Sequence, residues 1–303
     1  MSPNPFQRAL IGTISLVPRS LIWRFSRRYI AGPQLSDACQ TVSEMNAAGC
    51  SGTIDVLGED STREEQVVAA LDSYLEAIRA INAASLDCGV SVKLSDFGLR
   101  YDSGRCMQAM LVLVSAAREH GQFVRIDMED SSVTSVTLDI YRDLRKQFEN
   151  VGVVLQSCLR RTAQDVDDLL SDGVTDVRLC KGIYVEPEEI AFTGADEIRD
   201  SFSELLEQLL EGRVRRLGIA THDPVLVSRA EESIEKLGID KSHYEFQMLL
   251  GVAGTLRKKL VEKGHPLRVY VPFGEHWYNY SVRRLRENPN IAGHIIRNLF
   301  SRQ

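Results

Sequence analysis

The sequence predicts an α/β fold, a (β/α)₈ TIM-like barrel, and three observations carry that prediction. Short β-branched runs alternate with longer amphipathic stretches through most of the chain, which favours a parallel sheet covered by helices. Eight strand–helix units follow one another, the number that closes a barrel of about 250 residues. No G-x-G-x-x-G motif follows the first strand, which argues against an open dinucleotide-binding sheet.

Eight strands are predicted, each a short run rich in β-branched residues. They are GTIDVLG (52–58), VSVKLS (90–95), FVRIDME (123–129), VGVVLQS (151–157), DVRLCKG (176–182), RLGIATHD (216–223), YEFQML (244–249) and RVYVPFG (268–274). The segments between them, such as EEQVVAALDSYLEAIRAI and ADEIRDSFSELLEQLLEG, carry apolar residues at helical spacing.

A last helix is predicted after strand eight, in the stretch WYNYSVRRLRENP (277–289). Its apolar stripe is formed by Tyr278, Val282 and Leu285, and a second, polar stripe by Tyr280, Arg283, Arg284 and Glu287. Taken alone, the polar stripe is typical of a solvated helix face. A helix that follows strand eight can also lie over the barrel mouth, where the two arginines would bind a carboxylate and the tyrosine would cover an apolar ring.

Residues 1–50 are predicted to form an arm of packing helices and residues 51–303 the barrel, so that 1–303 is one domain. The start of the chain is basic and apolar, but Pro18 and arginines at 19, 24, 27 and 28 interrupt its apolar runs. None approaches the ~20 residues that a membrane span needs. We expect no transmembrane segment and a cytoplasmic protein, with peripheral contact at the inner face of the membrane as an open alternative.

The net charge and the cysteine pattern argue against two classes of function, nucleic-acid binding and metal binding. The net charge of −6 and the pI near 5.6 argue against nucleic-acid binding, which usually needs a basic face. The six cysteines are scattered, with no C-x-x-C pair and no histidine at zinc spacing. That pattern favours reduced thiols in a cytosolic chain, with neither disulfides nor a metal site.

Polar residues gather at the ends of the predicted strands. They are Lys93, Asp127, Glu129, Gln156, Lys181, Thr221, His222 and Asp223, with Gln247 late in its strand. A parallel barrel brings those ends to one face, where barrel active sites are built. Asp223 precedes Pro224 and is interpreted as a helix cap, but lysine and glutamine cap poorly. The sequence therefore predicts a polar site at this mouth.

Seven motifs in register at these strand ends carry a family resemblance. They are Lys93 in VKLS, DME (127–129), LQSCLRRT, VRLCKGIY, ATHDP, YEFQML-x-G and YVPFG…WYNYSVRRLRENP. Together they resemble the proline dehydrogenase family, specifically its small monofunctional bacterial members. The resemblance implies a distorted barrel with non-covalent FAD that oxidises L-proline to Δ¹-pyrroline-5-carboxylate and passes the electrons to a membrane quinone. The pyrroline-5-carboxylate dehydrogenase that follows in the pathway is then expected to be a separate protein.

The resemblance also implies roles for individual residues. Asp127 and Tyr184 match active-site positions; Lys93, Arg283 and Arg284 match positions that bind the substrate carboxylate; Tyr280 matches the aromatic on the substrate ring and Tyr270 the pocket wall. Flavin-contacting positions are matched by Met128, Gln156, Arg178, Lys181, Gly182, Ile183, Thr221, His222, Gln247 and Glu287. Such chemistry needs orientation and electrostatics from the protein and no nucleophile. For Lys181, a purely structural ion pair is the alternative.

The chain departs from the family pattern at three of these positions or beside them. Ile183 stands where the family usually has alanine, and Leu250 and Phe273 where it often has tyrosine. The extra carbons of Ile183 leave two enzyme hypotheses, oxidation of proline or of another cyclic or secondary amino acid such as 4-hydroxyproline or pipecolate. A third hypothesis is a non-catalytic binding barrel, but the intact set of substrate-site residues argues against it.

Overall fold

Eight parallel strands form a closed barrel in the computed structural model, which describes residues 22–23, 26–58, 60–173, 176–278 and 280–282. The strands are β1 (Ser51–Val56), β2 (Cys88–Val92), β3 (Val124–Ile126), β4 (Val151–Gln156), β5 (Asp176–Cys180), β6 (Arg216–Ala220), β7 (Tyr244–Leu249) and β8 (Leu267–Phe273). Each pairs with the next strand along the chain, and β1 closes the ring on β8, with Ser51 opposite Arg268. The predicted barrel and its eight strands are confirmed.

Seven helices connect consecutive strands, and one precedes the barrel within the described ranges. They are α1 (Leu35–Ala47), α2 (Glu64–Ala83), α3 (Ser103–Glu119), α4 (Thr134–Arg145), α5 (Thr162–Ser171), α6 (Ala195–Glu211), α7 (Pro224–Leu237) and α8 (Gly254–Glu262). Helix α1, from the predicted N-terminal arm, packs against β1 and β8. It therefore covers the strands at which the barrel closes.

The hydrophobic core lies between the strands and the helices around them. Parallel strands covered by helices have two buried faces, so their sequences are nearly continuous apolar runs. Strand β4, VGVVLQ, is buried at every position. Each helix turns an apolar stripe inward, as α6 does with Leu205, Leu206 and Leu209. The sequence alternation thus corresponds to one continuous core.

Several predicted strands extend too far at their carboxyl ends. The predictions 90–95 and 176–182 are corrected to ends at Val92 and Cys180, and 52–58, 123–129 and 216–223 are shortened in the same way. After β2 the chain forms a short 3₁₀ helix, Leu94–Phe97, and after β5 Gly182 turns it with a φ of +95°. β-propensity cannot indicate where strand pairing stops, and Lys93, Asp127 and Lys181 lie just beyond the ends of their strands.

The two ends of the described chain meet beside the mouth. The rings of Trp23 and Trp277 lie 4.7 Å apart, and buried Tyr280 packs with Ile30 and Leu57. Residues 283–289 of the predicted final helix, which include Arg283, Arg284 and Glu287, lie outside the described residues. So does most of the N-terminal segment. Across the ranges that the structure describes, every helix is too short or too polar for a membrane span.

Candidate active site

A cavity of about 590 Å³ opens at the carboxyl ends of the strands, where the sequence predicts a site. Its lining includes Asp55, Lys93, Asp127, Met128, Gln156, Arg178, Lys181, Gly182, Ile183, Tyr184, Arg199, Thr221, His222, Asp223, Gln247, Tyr270 and Tyr280. The volume lies within the range of small-molecule sites. Nearly all described residues predicted for the site are therefore brought together by the barrel.

The carboxylate of Asp127 accepts three side-chain hydrogen bonds in the cavity. Its Oδ1 accepts from Arg178 Nη1 and from Ser91 Oγ, both at 2.7 Å, and its Oδ2 accepts from the Tyr270 hydroxyl at 2.8 Å. These donors come from three different strands, so the closed barrel positions the carboxylate. Burial, and then the negative charge of Asp127, raise the pKa of Tyr270 well above its usual value. Tyr270 therefore stays a neutral hydrogen-bond donor at physiological pH.

Lys93 lies beside this carboxylate and is paired with a second one. Its Nζ is 2.7 Å from Asp55 Oδ1 and 3.9 Å from Asp127 Oδ2. Burial opposes the charged amine, but the carboxylates of Asp55, Asp127 and Asp96 outweigh burial and raise the pKa of Lys93. Lys93 is thus a permanent cation at the mouth.

Arg178 links Asp127 to a polar chain inside the barrel. Its Nε donates to Gln247 Oε1, and Gln247 Nε2 donates to Glu245 Oε1 at 2.6 Å. Arg268 Nε in turn donates to the same Glu245 oxygen at 2.7 Å. A Cβ on Gly218 would lie 2.5 Å from the Gln247 amide nitrogen, so glycine leaves room for this side chain. A continuous series of hydrogen bonds therefore runs from Asp127 at the cavity through Arg178, Gln247 and Glu245 to Arg268 in the barrel interior.

A second ionic cluster lies on the β5–β6 side of the cavity. Lys181 Nζ and Arg199 Nε contact the same Asp223 oxygen, Oδ2, at 2.6 and 2.7 Å. The other oxygen accepts from Val225 N and caps α7, which confirms the cap interpretation. Burial would raise the pKa of Asp223, but the bonds from Lys181 and Arg199 lower it to about 2. Lys181 is therefore ion-paired, as the structural alternative expects, and it also lines the cavity.

The remaining predicted flavin-contacting residues surround these clusters. Gln156 donates through Nε2 to the Glu129 carbonyl at 2.8 Å, and His222 Nε2 accepts from Leu249 N at 2.8 Å. That bond requires an unprotonated Nε2. Ile183, almost half exposed, lines the cavity. Together they form a wall of mixed polar and apolar character.

Glu129 is separated from the main cavity, contrary to its place in the predicted polar cluster. Its buried carboxylate accepts hydrogen bonds from Ser95 N and Ser95 Oγ. The residue lines an adjoining cavity of about 270 Å³. Lys93, Tyr184 and Tyr280 line both cavities. Burial raises the pKa of Glu129, so its carboxylate gains its charge at a higher pH than usual.

The sequence analysis missed Asp55 and Arg199. Asp55 is fully buried within β1, and an acidic residue inside an apolar strand, GTIDVLG, was the available signal. Arg199 lies on α6, where arginines on exposed helix faces are common, so its position carried no signal. Both residues line the cavity.

The fold and the cavity define a class, a (β/α)₈-barrel protein with a charged small-molecule site at its carboxyl-terminal mouth. The chain belongs to the proline dehydrogenase family, since the family model described as proline dehydrogenase matches residues 38–297. Proline dehydrogenase 2 of Bacillus subtilis strain 168 is 36% identical over 267 residues, 88% of this chain and 87% of the relative. The proline dehydrogenase of Deinococcus radiodurans is 32% identical over 294 residues, 94% of this chain and 93% of the relative.

Solved structures agree on the fold. Proline utilization A (PutA) from Bdellovibrio bacteriovorus, inactivated by N-propargylglycine, superposes with a TM-score of 0.81 at 26% identity and covers 87% of this chain. A mutant PutA from Bradyrhizobium japonicum gives a TM-score of 0.76 at 23% identity over 88% of this chain, which concerns the fold alone. This chain spans 32% and 31% of those two proteins.

Proposed function

We propose that this chain oxidises L-proline to Δ¹-pyrroline-5-carboxylate with a non-covalent FAD, and that the electrons pass on to a membrane quinone. The observation that carries the proposal is the carboxylate of Asp127, held by Arg178, Ser91 and Tyr270 beside the cation of Lys93. Family membership supports the reaction, and this cluster supports its location.

The cavity is suited to a flavin in both shape and donors. Met128, Val154, Ile183 and Met248 give it apolar walls, and Arg178, Lys181, Gln156 and Gln247 bring hydrogen-bond donors between them. Gly182 takes a left-handed φ, and a Cβ there would lie 2.3 Å from Cys158 Sγ, so the loop after β5 can pack this tightly only with glycine. We propose that these residues, with Gly182, Thr221 and His222, hold the cofactor, and that Glu287 joins them.

In this proposal Lys93, together with Arg283 and Arg284, binds the substrate carboxylate. The raised pKa of Lys93 keeps its charge across physiological pH, so carboxylate binding does not depend on a titrating group. Asp55 compensates that charge while the site is empty. Tyr280 would lie against the proline ring, since its side chain is buried and still borders the cavity.

Oxidation to Δ¹-pyrroline-5-carboxylate breaks the Cδ–H bond of proline, forms the Cδ=N bond from the nitrogen lone pair and releases the N–H proton, so the amine must first be neutral. When bound, the flavin would supply the acceptor for the hydride from Cδ. The protein contributes orientation and a fixed electrostatic field. Asp127 and Tyr184 are the proposed active-site residues, and the three donors on Asp127 leave its carboxylate no freedom to rotate.

The test is the colour of the purified chain and its response to substrate. Acid precipitation should release FAD into the supernatant, and anaerobic L-proline should bleach the native protein. Asp127→Asn should keep the flavin and bleach far more slowly, whereas Asp143→Asn, on the exposed face of α4, should bleach like the parent chain. A colourless supernatant from folded, FAD-supplemented protein would refute the cofactor. Bleaching by pipecolate or trans-4-hydroxyproline in preference to proline would refute the substrate.

The proposed location is the cytoplasm, with only peripheral contact to the inner face of the membrane. None of the six cysteines, all within the described ranges, forms a disulfide, which is consistent with a reducing compartment. Fractionation followed by a high-salt and carbonate wash measures the attachment. Retention through both washes would contradict a peripheral contact.

A further inference from the structure

The two sides of the cavity differ in charge balance. On the side of β1 to β3 and β8, the cations of Lys93 and Arg178 face the carboxylates of Asp55 and Asp127. On the β5–β6 side, one carboxylate oxygen of Asp223 faces two cations. Among the described residues, each cation of the first side thus has its own carboxylate, whereas on the second side two cations share one carboxylate oxygen.

Arg199 carries much of that uncompensated charge. Its Nη1 also contacts Asp196 at 2.9 Å, but the Asp196 side chain is 90% exposed, so water and salt screen the pair. Among the described residues, Arg199 Nη2 has no hydrogen-bond acceptor, and the side chain, one-third exposed, lines the cavity. The Nη2 group of a guanidinium carries two N–H donors that can bind phosphate oxygens, and the guanidinium keeps its positive charge at any working pH.

Asp223 keeps the side chains of Lys181 and Arg199 next to each other through its ion pairs with both. Its lowered pKa, about 2, keeps it charged at working pH, so Lys181 and Arg199 remain close despite their mutual repulsion. Asp223 is also the N-cap of α7, whose first amide groups add positive potential at the same place. An arriving anion therefore meets cations that are already oriented.

We propose that Lys181 and Arg199 form a diphosphate clamp, in which Arg199 is a cofactor-binding residue that selects FAD over riboflavin. The inference rests on the proposed use of FAD and adds the residue that recognises its ADP portion. Riboflavin shares the ring but lacks the phosphates, so only FAD and ADP gain from the clamp. Arg199 contributes its charge and the N–H donors of Nη2, and Lys181 contributes a single charge.

The experiment measures binding to the full-length chain after its flavin has been removed. FAD and riboflavin are titrated by fluorescence quenching and ADP by calorimetry, at low and high salt. Arg199→Gln should weaken FAD and ADP by about tenfold, the usual effect of one charge-assisted hydrogen bond, and leave riboflavin within about twofold. Arg199→Lys should recover part of the loss. High salt should narrow the gap between the parent chain and Arg199→Gln.

The matched control is Arg229→Gln. Arg229 contacts α6 through Asp200 and Ser203 but does not line the cavity, so all three affinities should stay unchanged. Equal losses of FAD and riboflavin in Arg199→Gln would mean that Arg199 only supports Asp223, and would overturn the clamp. Unchanged FAD and ADP affinities would overturn it too, even if L-proline bleaches the flavin. A parent chain that binds ADP through Arg199 but takes no flavin would keep the clamp and refute the proposed function. A chain that binds none of FAD, riboflavin and ADP would refute both the clamp and the proposed function.

Discussion

Glutamine in place of Glu245 tests how strongly the barrel interior depends on one buried carboxylate. Glu245 of β7 accepts from Arg268 Nε at 2.7 Å and from Gln247 Nε2 at 2.6 Å. Burial alone would raise its pKa, but the guanidinium of Arg268 outweighs burial and lowers the pKa of Glu245 from 4.5 to about 2. The folded protein therefore holds the ionised form more tightly than the unfolded chain does.

That difference sets the magnitude. The gap between 4.5 and about 2, at about 1.4 kcal/mol per pH unit, corresponds to roughly 3 kcal/mol of unfolding free energy at neutral pH. Because the folded pKa is the lower one, this stability is present above about pH 4.5 and is lost as the pH falls towards 2. Glu245→Gln should remove it and leave the charge of Arg268 without its partner.

Urea unfolding of both proteins across pH 3 to 8 is the assay. We expect Glu245→Gln to be less stable by about 3 kcal/mol near pH 7, with the difference shrinking below about pH 4.5. Glu149→Gln is the control, because its carboxylate meets Arg215 at 3.4 Å and is 86% exposed. Its curve should follow that of the parent chain. A difference that is absent, or constant from pH 3 to 8, would refute the assignment of the stability to ionised Glu245.

Three further predictions concern the mouth. Asp55→Asn should lower the pKa of Lys93 and reduce the free energy of unfolding in urea by about 3 kcal/mol, the low end for breaking a buried pair. The control is Asp143→Asn, whose carboxylate is also 2.7 Å from a lysine but exposed, and its unfolding free energy should not change measurably. Equal losses in the two variants would contradict this prediction. Arg284→Lys should lower kcat/KM for proline about ten- to hundredfold, mainly through KM, and unchanged kinetics would make Arg284 an ordinary surface residue. Ile183→Ala should relax the preference for proline over pipecolate by about 1–3 kcal/mol in relative kcat/KM. The same preference in both proteins on a substrate panel would show that Ile183 does not determine it.

The architecture could be predicted because two periodicities alternate along the whole chain. Runs such as VGVVLQ and amphipathic stretches such as the one that forms α6 differ so clearly that all eight strands were found. The strand ends could not be predicted as well, since Lys93 follows Val92, a residue of high β-propensity, without a turn signal between them. Only strand pairing determines that β2 ends at Val92.

The site was predictable where topology alone creates it. Parallel strands must end at one face, so polar residues at strand ends had to meet. Asp55 lies within its strand, and Arg199 reaches the cavity from a helix, so neither follows from that rule. Their place depends on side-chain reach and on ion pairs with Lys93 and Asp223, which the order of residues does not encode directly.

The hydrogen bonds from Glu245 through Gln247 to Arg178 explain why a residue far from the mouth affects the candidate site. A carboxylate can only accept hydrogen bonds, so Glu245 forces the amide NH₂ of Gln247 towards itself and the amide oxygen towards Arg178. With that oxygen on its Nε, Arg178 presents Nη1 to Asp127 at 2.7 Å. If Gln247 rotated its amide by half a turn, two donors would meet at Arg178 and the contact with Asp127 would be lost. The orientation of the candidate catalytic carboxylate thus depends on the charge of a glutamate that does not line the cavity.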